Sequence, residues 1–123
     1  MSINQVKPTV EEINQAIIDG IQDVKGKEIV KLDMTEIQDA SVNYFIICQG
    51  DSSTQVNAIR SSIFRKVKEI CHFSPFNTDG ASRSNWICMD YYETVVHIFH
   101  PETREFYKIE ELWSDAKRTD IKE

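Results

Sequence analysis

The segment NYFIIC, residues 43–48, constrains the fold more than any other part of the sequence. A β-strand points alternate side chains to opposite faces of its sheet, and here both sets are largely apolar. Such a strand is stable where other elements cover both faces of the sheet. We therefore expect residues 43–48 to form a central strand with layers packed above and below it.

Two amphipathic stripes flank this strand and predict helices. Each repeats apolar residues at spacings of three and four, which is the period of an α-helix. The first follows Thr9, which begins a capping box with Glu12, and the second follows Gly50. The stripe residues are Val10, Ile13, Ile17, Ile21 and Val24 in the first helix and Val56, Ile59, Ile63, Val67 and Ile70 in the second.

The remaining apolar segments predict the rest of one sheet. EIVKLDM (28–34) reads as a strand, while WICMDY (86–91) and TVVHIFH (94–100) read as an antiparallel hairpin, with a short strand near Phe76. Short helices follow from Pro101. The sequence thus predicts a mixed α/β fold, with a single sheet of about four to five strands and helices packed on it. We expect a flexible lead-in over residues 1–8, one domain over 9–116 and a disordered tail over 117–123.

Composition narrows the partners and the compartment. Lys and Arg number 14 against 20 Asp and Glu, and the net charge of −6 disfavours broad contact with phosphate backbones and favours a basic partner. No apolar stretch approaches a membrane span and the N-terminus does not resemble a signal peptide, so we expect a cytoplasmic protein. Cys48, Cys71 and Cys88 lack the spacing of a zinc site and predict buried, reduced thiols.

The two histidines of the last strand do not predict a metal or catalytic site. His97 and His100 differ by three positions, so an extended chain points them to opposite faces. We expect His97 to be a hydrogen-bonded structural residue, with contact to a partner as the alternative. His100 precedes Pro101 and is expected to end the strand or to cap the helix that follows.

GDSS, residues 50–53, is the strongest candidate for chemistry. A strand, a glycine and a helix start can hold an anion, and nucleotidyltransferases carry a Gly-Ser pair at such a junction. They also need converging carboxylates to bind metal ions. No D-x-D or D-x-E pair occurs on the following strands. An ordinary helix cap is favoured, and a nucleotide-binding or nucleotidyl-transferring enzyme using the Gly50–Ser53 turn stays the alternative. The basic residues between Arg60 and Lys68 are expected to be a solvated helix face, with RNA binding as the alternative.

The hairpin WICMDYYETVV is the strongest candidate for a protein contact. Alternation places Trp86, Cys88 and Asp90 on one face, and Ile87, Met89 and Tyr91 on the other. Turns favour Gly, Asn or Asp, so Tyr and Glu at the tip need another reason. Trp and Tyr are common interface anchors, and acidic groups beside them suit a basic partner. The alternative is that the aromatics fold back onto the domain.

Two stretches resemble the ribosome-silencing factor (iojap-like) family. They are SVNYFIICQGDSSTQVNAI and NWICMDYYETVVHIFHPETREFYKIEELW, and the likeness runs from about residue 10 to residue 116. It implies a fold similar to nucleotidyltransferases without the catalytic carboxylates, and a translational repressor that is not an enzyme and has no cofactor. Members bind a basic protein of the large ribosomal subunit, the universal protein numbered fourteen, and block association of the two subunits. Organellar relatives assist large-subunit assembly, and a homodimer in the free state is an open alternative.

The resemblance also implies where the partner binds. It carries over Trp86, Asp90, Tyr91 and the hairpin around them. The predicted partner-binding residues are Trp86, Met89, Asp90, Tyr91, Tyr92, Glu93 and His97. The family commonly has Gly at about Tyr92, so the hairpin tip is expected to differ in shape from that of its relatives.

Overall fold

A computed structural model describes residues 7–123, and its elements follow the predicted order as far as residue 112. They are α1 (Val10–Asp23), β1 (Lys27–Asp33), β2 (Tyr44–Gln49), α2 (Ser53–Cys71), β3 (Asn77–Asp79), β4 (Trp86–Asp90), β5 (Thr94–Phe99), α3 (Pro101–Tyr107), α4 (Ile109–Leu112) and β6 (Lys117–Ile121). No helix within residues 7–123 is both long and apolar enough to span a bilayer.

The strands form one sheet in the order β3-β4-β5-β2-β1-β6. β2 runs parallel to β5 and antiparallel to β1, and the other neighbours are antiparallel. The predicted central strand is therefore confirmed, and Ile46, Ile47 and Cys48 are fully buried. The mixed α/β class is also confirmed, although the sheet has one strand more than the upper limit predicted.

The helices α1 and α2 cover one face of the sheet, which we call the helix-covered face. The predicted capping box is present, since the Thr9 side chain accepts from the Glu12 N–H and the Glu12 side chain accepts from the Thr9 N–H. The helices approach closely where Gly20 meets Ile63, whose Cα would lie 2.9 Å from an added Cβ. Apolar residues of both helices pack here on the sheet. The sheet residues that they cover on and next to β4 and β5 are Ile87, Met89, Tyr91, Val96 and Ile98.

The opposite face of the sheet is covered over only part of its width. Leu32 and Phe99 are buried there beneath Ile109 of α4 and Trp113. Phe45 packs edge-to-face on Trp113, with ring centroids 6.1 Å apart. This cover lies over β1, β2 and the Phe99 end of β5, whereas Cys88, Asp90 and Val95 of β4 and β5 stay partly exposed.

The expectation of a disordered tail is wrong for residues 117–121. These residues form β6, which pairs antiparallel with β1 from Ile29↔Ile121 to Asp33↔Lys117. Its side chains are almost all exposed, so it lacks the alternation that identifies a half-buried strand. Backbone hydrogen bonds to the sheet edge hold it instead. Residues 1–6 of the expected lead-in lie outside the described part of the chain.

Candidate docking surface

The uncovered part of the opposite face consists of alternate residues of β4 and β5, and we call it the open face. Its central side chains are Trp86, Cys88 and Asp90, paired across the strands with Phe99, His97 and Val95 respectively. Trp86, Cys88, Asp90 and Val95 are half-buried. The predicted division of β4 into two faces is confirmed, because Ile87 and Met89 are fully buried on the other side.

Trp86 is held in one orientation by three aromatic neighbours. Its Nε1–H donates to His97 Nδ1 at 3.1 Å, and its ring centroid lies 5.0 Å from that of Phe99 and 4.7 Å from that of Tyr107. Because an indole N–H can only donate, His97 Nδ1 must accept, which leaves the ring proton on Nε2. The anchor candidate of the open face is thus pre-positioned.

His97 is a buried support beneath this surface. It is 8% exposed, and burial lowers its pKa to about 4, so the ring is neutral at physiological pH. Its Nε2 has no hydrogen-bond partner among residues 7–123. The predicted structural role is confirmed, and the assignment of His97 to direct partner contact is wrong because the indole and strand neighbours cover it. His100 caps α3 as expected, its Nδ1 accepting from the Glu102 N–H at 3.4 Å.

The cysteines offer no activated nucleophile. Cys88 Sγ lies 3.5 Å from His97 Nδ1, but burial, with the nearby charge of Asp79, raises the pKa of the Cys88 thiol to about 11. Burial raises the pKa of Cys48 to about 12. All three thiols are free, and Cys88 differs from the prediction in being only partly buried. On the open face it acts as a small apolar group.

Three carboxylates lie at the margin of the open face. Asp79 of β3 stands opposite Cys88, Asp90 ends β4, and Glu93 precedes β5. Asp90 Oδ1 accepts from the Tyr92 N–H at 2.8 Å, and Glu93 Oε1 accepts from Asn43 Nδ2 at 3.0 Å. None of the three forms a salt bridge within residues 7–123. An apolar centre with carboxylates along its β3 and hairpin-tip margin, which we call the acidic rim, is suited to a basic protein surface.

Two of the predicted contact residues face the other way. Met89 and Tyr91 are 0% and 1% exposed on the helix-covered face, so their assignment to direct partner contact is wrong. Strand alternation had already placed them on the face opposite Trp86 and Asp90. For these two residues alternation was the better guide, and the family motif was the poorer one. Burial raises the pKa of the Tyr91 phenol, whose oxygen has no hydrogen-bond partner within the described residues. Tyr92 and Glu93 are exposed at the hairpin tip.

Sequence reasoning missed two residues of the open face. Asp79 belongs to a three-residue strand inside a loop-like segment, and only its pairing with β4 brings it beside Cys88. Val95 was visible as a strand residue, but the sequence does not show that it stays partly exposed. Neither position carries a local signal of exposure on this face.

The Gly50–Ser53 turn has the contacts of a helix start. Ser52 Oγ accepts from the Gln55 N–H at 3.1 Å, and the Asp51 N–H donates to Gln55 Oε1 at 2.7 Å. The Asp51 carboxylate pairs with Lys27 at 3.0 Å. The side chains of the turn thus occupy donors that an anion would need, which favours the helix cap. Within residues 7–123, no cluster of three or more His, Cys, Asp or Glu side chains could hold a metal ion.

The fold is a mixed α/β domain with one partly open sheet face, and comparison with known proteins gives its family. The family described as "Ribosomal silencing factor during starvation" matches residues 7–123. The chain belongs to this family, and its function lies in ribosome-associated regulation of translation.

Individual relatives agree with the family assignment. "Ribosomal silencing factor RsfS" of Chromobacterium violaceum is 32% identical over 108 residues, covering 88% of this chain and 87% of that protein. A crystal structure of a Chromobacterium violaceum protein superposes with a TM-score of 0.82 at 30% identity, covering 94% of this chain and 95% of that one. "Mitochondrial assembly of ribosomal large subunit protein 1" of Mus musculus is 32% identical over 74 residues, 58% of this chain and 32% of its own length.

Proposed function

We propose that the open face docks on a basic protein of the large ribosomal subunit, the universal protein numbered fourteen, and that the bound domain excludes the small subunit. The observation that carries this proposal is the asymmetry of the sheet. One face is covered by two helices, and the other leaves Trp86, Cys88 and Val95 beside carboxylates that form no salt bridge within residues 7–123. The family and the name of the mouse relative support a site on the large subunit.

Docking would use Trp86 as the apolar anchor and the acidic rim for orientation. The indole is already fixed by His97, Phe99 and Tyr107, so binding loses little further side-chain freedom. Asp79, Asp90 and Glu93 would face Lys or Arg of the partner, which steers the encounter more than it adds affinity. Steric exclusion of the small subunit requires no chemistry.

Three further parts of the proposal follow from this role. The protein acts without catalysis, since its silencing depends on the space that it occupies. It works in the cytoplasm, where the two subunits join. In the free state, the apolar centre of the open face supports a homodimer that the ribosomal partner would displace, although the acidic rims of two copies repel.

Co-sedimentation with separated subunits tests the proposal. We expect the protein to migrate with the large subunit alone and to abolish the joined-ribosome peak when added before mixing. Trp86→Ala should weaken binding by about 2 kcal/mol, or about 30-fold, because truncating a central aromatic anchor removes its contact area. The measurement is the dissociation constant from a sedimentation titration of the large subunit.

A matched control separates docking from folding. Phe64→Ala removes another exposed aromatic, but on α2, and should leave binding unchanged. Thermal melts must show that Trp86→Ala stays folded at the assay temperature. Migration of the wild type with neither subunit, or wild-type affinity in a folded Trp86→Ala variant, would contradict the proposal.

A further inference from the structure

Tyr92, at the tip of the β4–β5 hairpin, adopts a backbone conformation that favours glycine. Its φ is 73°, and its side chain is 56% exposed. The Tyr91 N–H donates to the Thr94 carbonyl at 2.8 Å, which closes the turn around it. A residue with a Cβ is strained in this region, whereas Gly is not. The turn alone gives no reason for a tyrosine here.

Two phenylalanines from the segment after α2 approach the Tyr92 ring. The ring centroids of Phe73 and Phe76 each lie 5.5 Å from that of Tyr92, at interplanar angles of 61°. Phe76 is 69% exposed, and its backbone N–H donates to the Asp90 carbonyl at 2.7 Å. Phe73, Phe76 and Tyr92, which we call the tip cluster, form an aromatic surface anchored to the end of β4.

The charges beside the tip cluster are mainly negative. Asp90 and Glu93 flank Tyr92 in sequence, and both carboxylates are without salt bridges in the described part of the chain. Aromatic faces attract cations, and neighbouring carboxylates add to that attraction. Behind the rings, Phe73 and Tyr92 line a cleft of about 540 Å³ together with Val10 and Ile13, with Lys7 and His72 also on its wall. The cleft can hold an aliphatic stem.

We propose that the tip cluster, with Asp90 and Glu93, binds an arginine side chain of the basic partner that docks on the open face. This inference rests on the proposed function. A guanidinium can stack on an aromatic ring while it pairs with a carboxylate, which a compact ammonium does less well. Asp90 lies at the edge of the open face and its carboxylate also accepts from the Tyr92 N–H, so it adjoins both surfaces, with Phe73 and the cleft on the helix-covered side. The binding site therefore extends from Trp86 around the hairpin tip.

Two substitutions test the tip cluster in different ways. Phe76→Leu keeps an apolar side chain and removes the aromatic face, and we expect about fivefold weaker binding to the large subunit. Tyr92→Gly removes a ring and the backbone strain together, so affinity should fall about fivefold while the melting temperature stays the same or rises. Opposite effects on affinity and stability distinguish a binding role from a structural one. Phe64→Leu on α2 is the matched control and should change neither.

A second measurement does not depend on the ribosome. Titration of the free protein with a hexa-arginine peptide should shift the NMR ring signals of Phe76 and Tyr92 saturably, and in Phe76→Leu the shift of Tyr92 should need about five times more peptide to reach its midpoint. If these shifts appear but the wild type binds no large subunit, the arginine site stands and the proposed function fails.

Other outcomes overturn the inference alone. If Trp86→Ala weakens binding to the large subunit but Phe76→Leu and Tyr92→Gly bind as tightly as the wild type, docking stands and the arginine site does not. If Phe76→Leu alters only the mass measured by light scattering, the tip cluster joins two copies of this chain instead. If Phe76→Leu and Tyr92→Gly both lose affinity and both melt at a much lower temperature than the wild type, the tip cluster serves the fold and not binding.

Discussion

The two faces of β4 differ in role although their residues alternate one by one. On the helix-covered face, Ile87 and Met89, and Tyr91 just after the strand, are at most 1% exposed. On the open face, their neighbours Trp86, Cys88 and Asp90 remain half-buried and lie beside carboxylates without ion pairs in the described chain. Two neighbouring residues of this strand therefore differ in role, because one packs in the core and the next is accessible from solvent.

The opposite face of the sheet has two differing parts, because its β1–β2 side is covered and the open face on β4 and β5 is not. Arg104 of α3 fixes the cover: its Nη2 lies 2.7 Å from Glu110 Oε2, and its Nη1 donates to the Glu28 carbonyl and to Gln49 Oε1. This network ties α3 and α4 to the start of β1 and the end of β2. The cover ends where Tyr107 meets Trp86, which sets the boundary of the open face.

The largest effect should come from the helix-covered face. Met89→Ala removes a fully buried side chain and leaves a cavity, so the free energy of unfolding should fall by about 3 kcal/mol in urea titrations. Binding to the large subunit, measured per folded molecule, should not change. Cys88→Ala, one position earlier on the open face, is the control and should destabilise less. Weaker binding by a folded, little-destabilised Met89→Ala variant would break the comparison between the faces.

The next largest effect should be a pH dependence that originates in His97. Burial lowers its pKa to about 4, against 6.5 for an ordinary histidine, so between these pH values the unfolded chain binds more protons. The free energy of unfolding should therefore fall as the pH drops from 6.5 to 4, by at most about 3 kcal/mol from this residue. Above about pH 6.5 the contribution is complete.

His97→Asn isolates this contribution. An Asn Oδ1 can still accept from the Trp86 indole, but it does not titrate. The free energy of unfolding is measured against pH for both proteins. The difference between the two curves is the contribution of His97 to the pH dependence of stability. Parallel curves between pH 4 and 6.5 would mean that the imidazole is not desolvated as the structure indicates.

The smallest effect should come from the acidic rim. Asp90→Asn keeps an oxygen for the Tyr92 N–H and removes one negative charge, so stability should change by less than about 0.5 kcal/mol. Binding should weaken by less than about 1 kcal/mol, mainly through a slower association rate with a reduced dependence on salt. Stopped-flow association at several salt concentrations measures this, with Asp39→Asn as a distant exposed control. An unchanged salt dependence would show that Asp90 does not face a cation in the complex.

The sequence predicted most of the fold because its strongest signals are local. The Thr9–Glu12 capping box, the apolar stripes of α1 and α2, and the alternation in β4 each report burial within one element. The alternation in β4 also placed Met89 and Tyr91 on the face opposite Trp86, where the structure buries them. The family motif nevertheless placed them among the contact residues, because a motif records both packing and binding positions.

By itself, the sequence determined the mixed α/β class, the central place of residues 43–48 and the absence of paired carboxylates after the Gly50–Ser53 turn. Tertiary packing, which the sequence does not show, made Lys117–Ile121 a strand, set Asp79 opposite Cys88 and let His97 orient Trp86. It also brought Phe73 and Phe76 to Tyr92. The physical reason is that side-chain periodicity reports burial within an element. Edge pairing depends on backbone hydrogen bonds, and a surface cluster on contacts between distant segments, so neither leaves a local pattern.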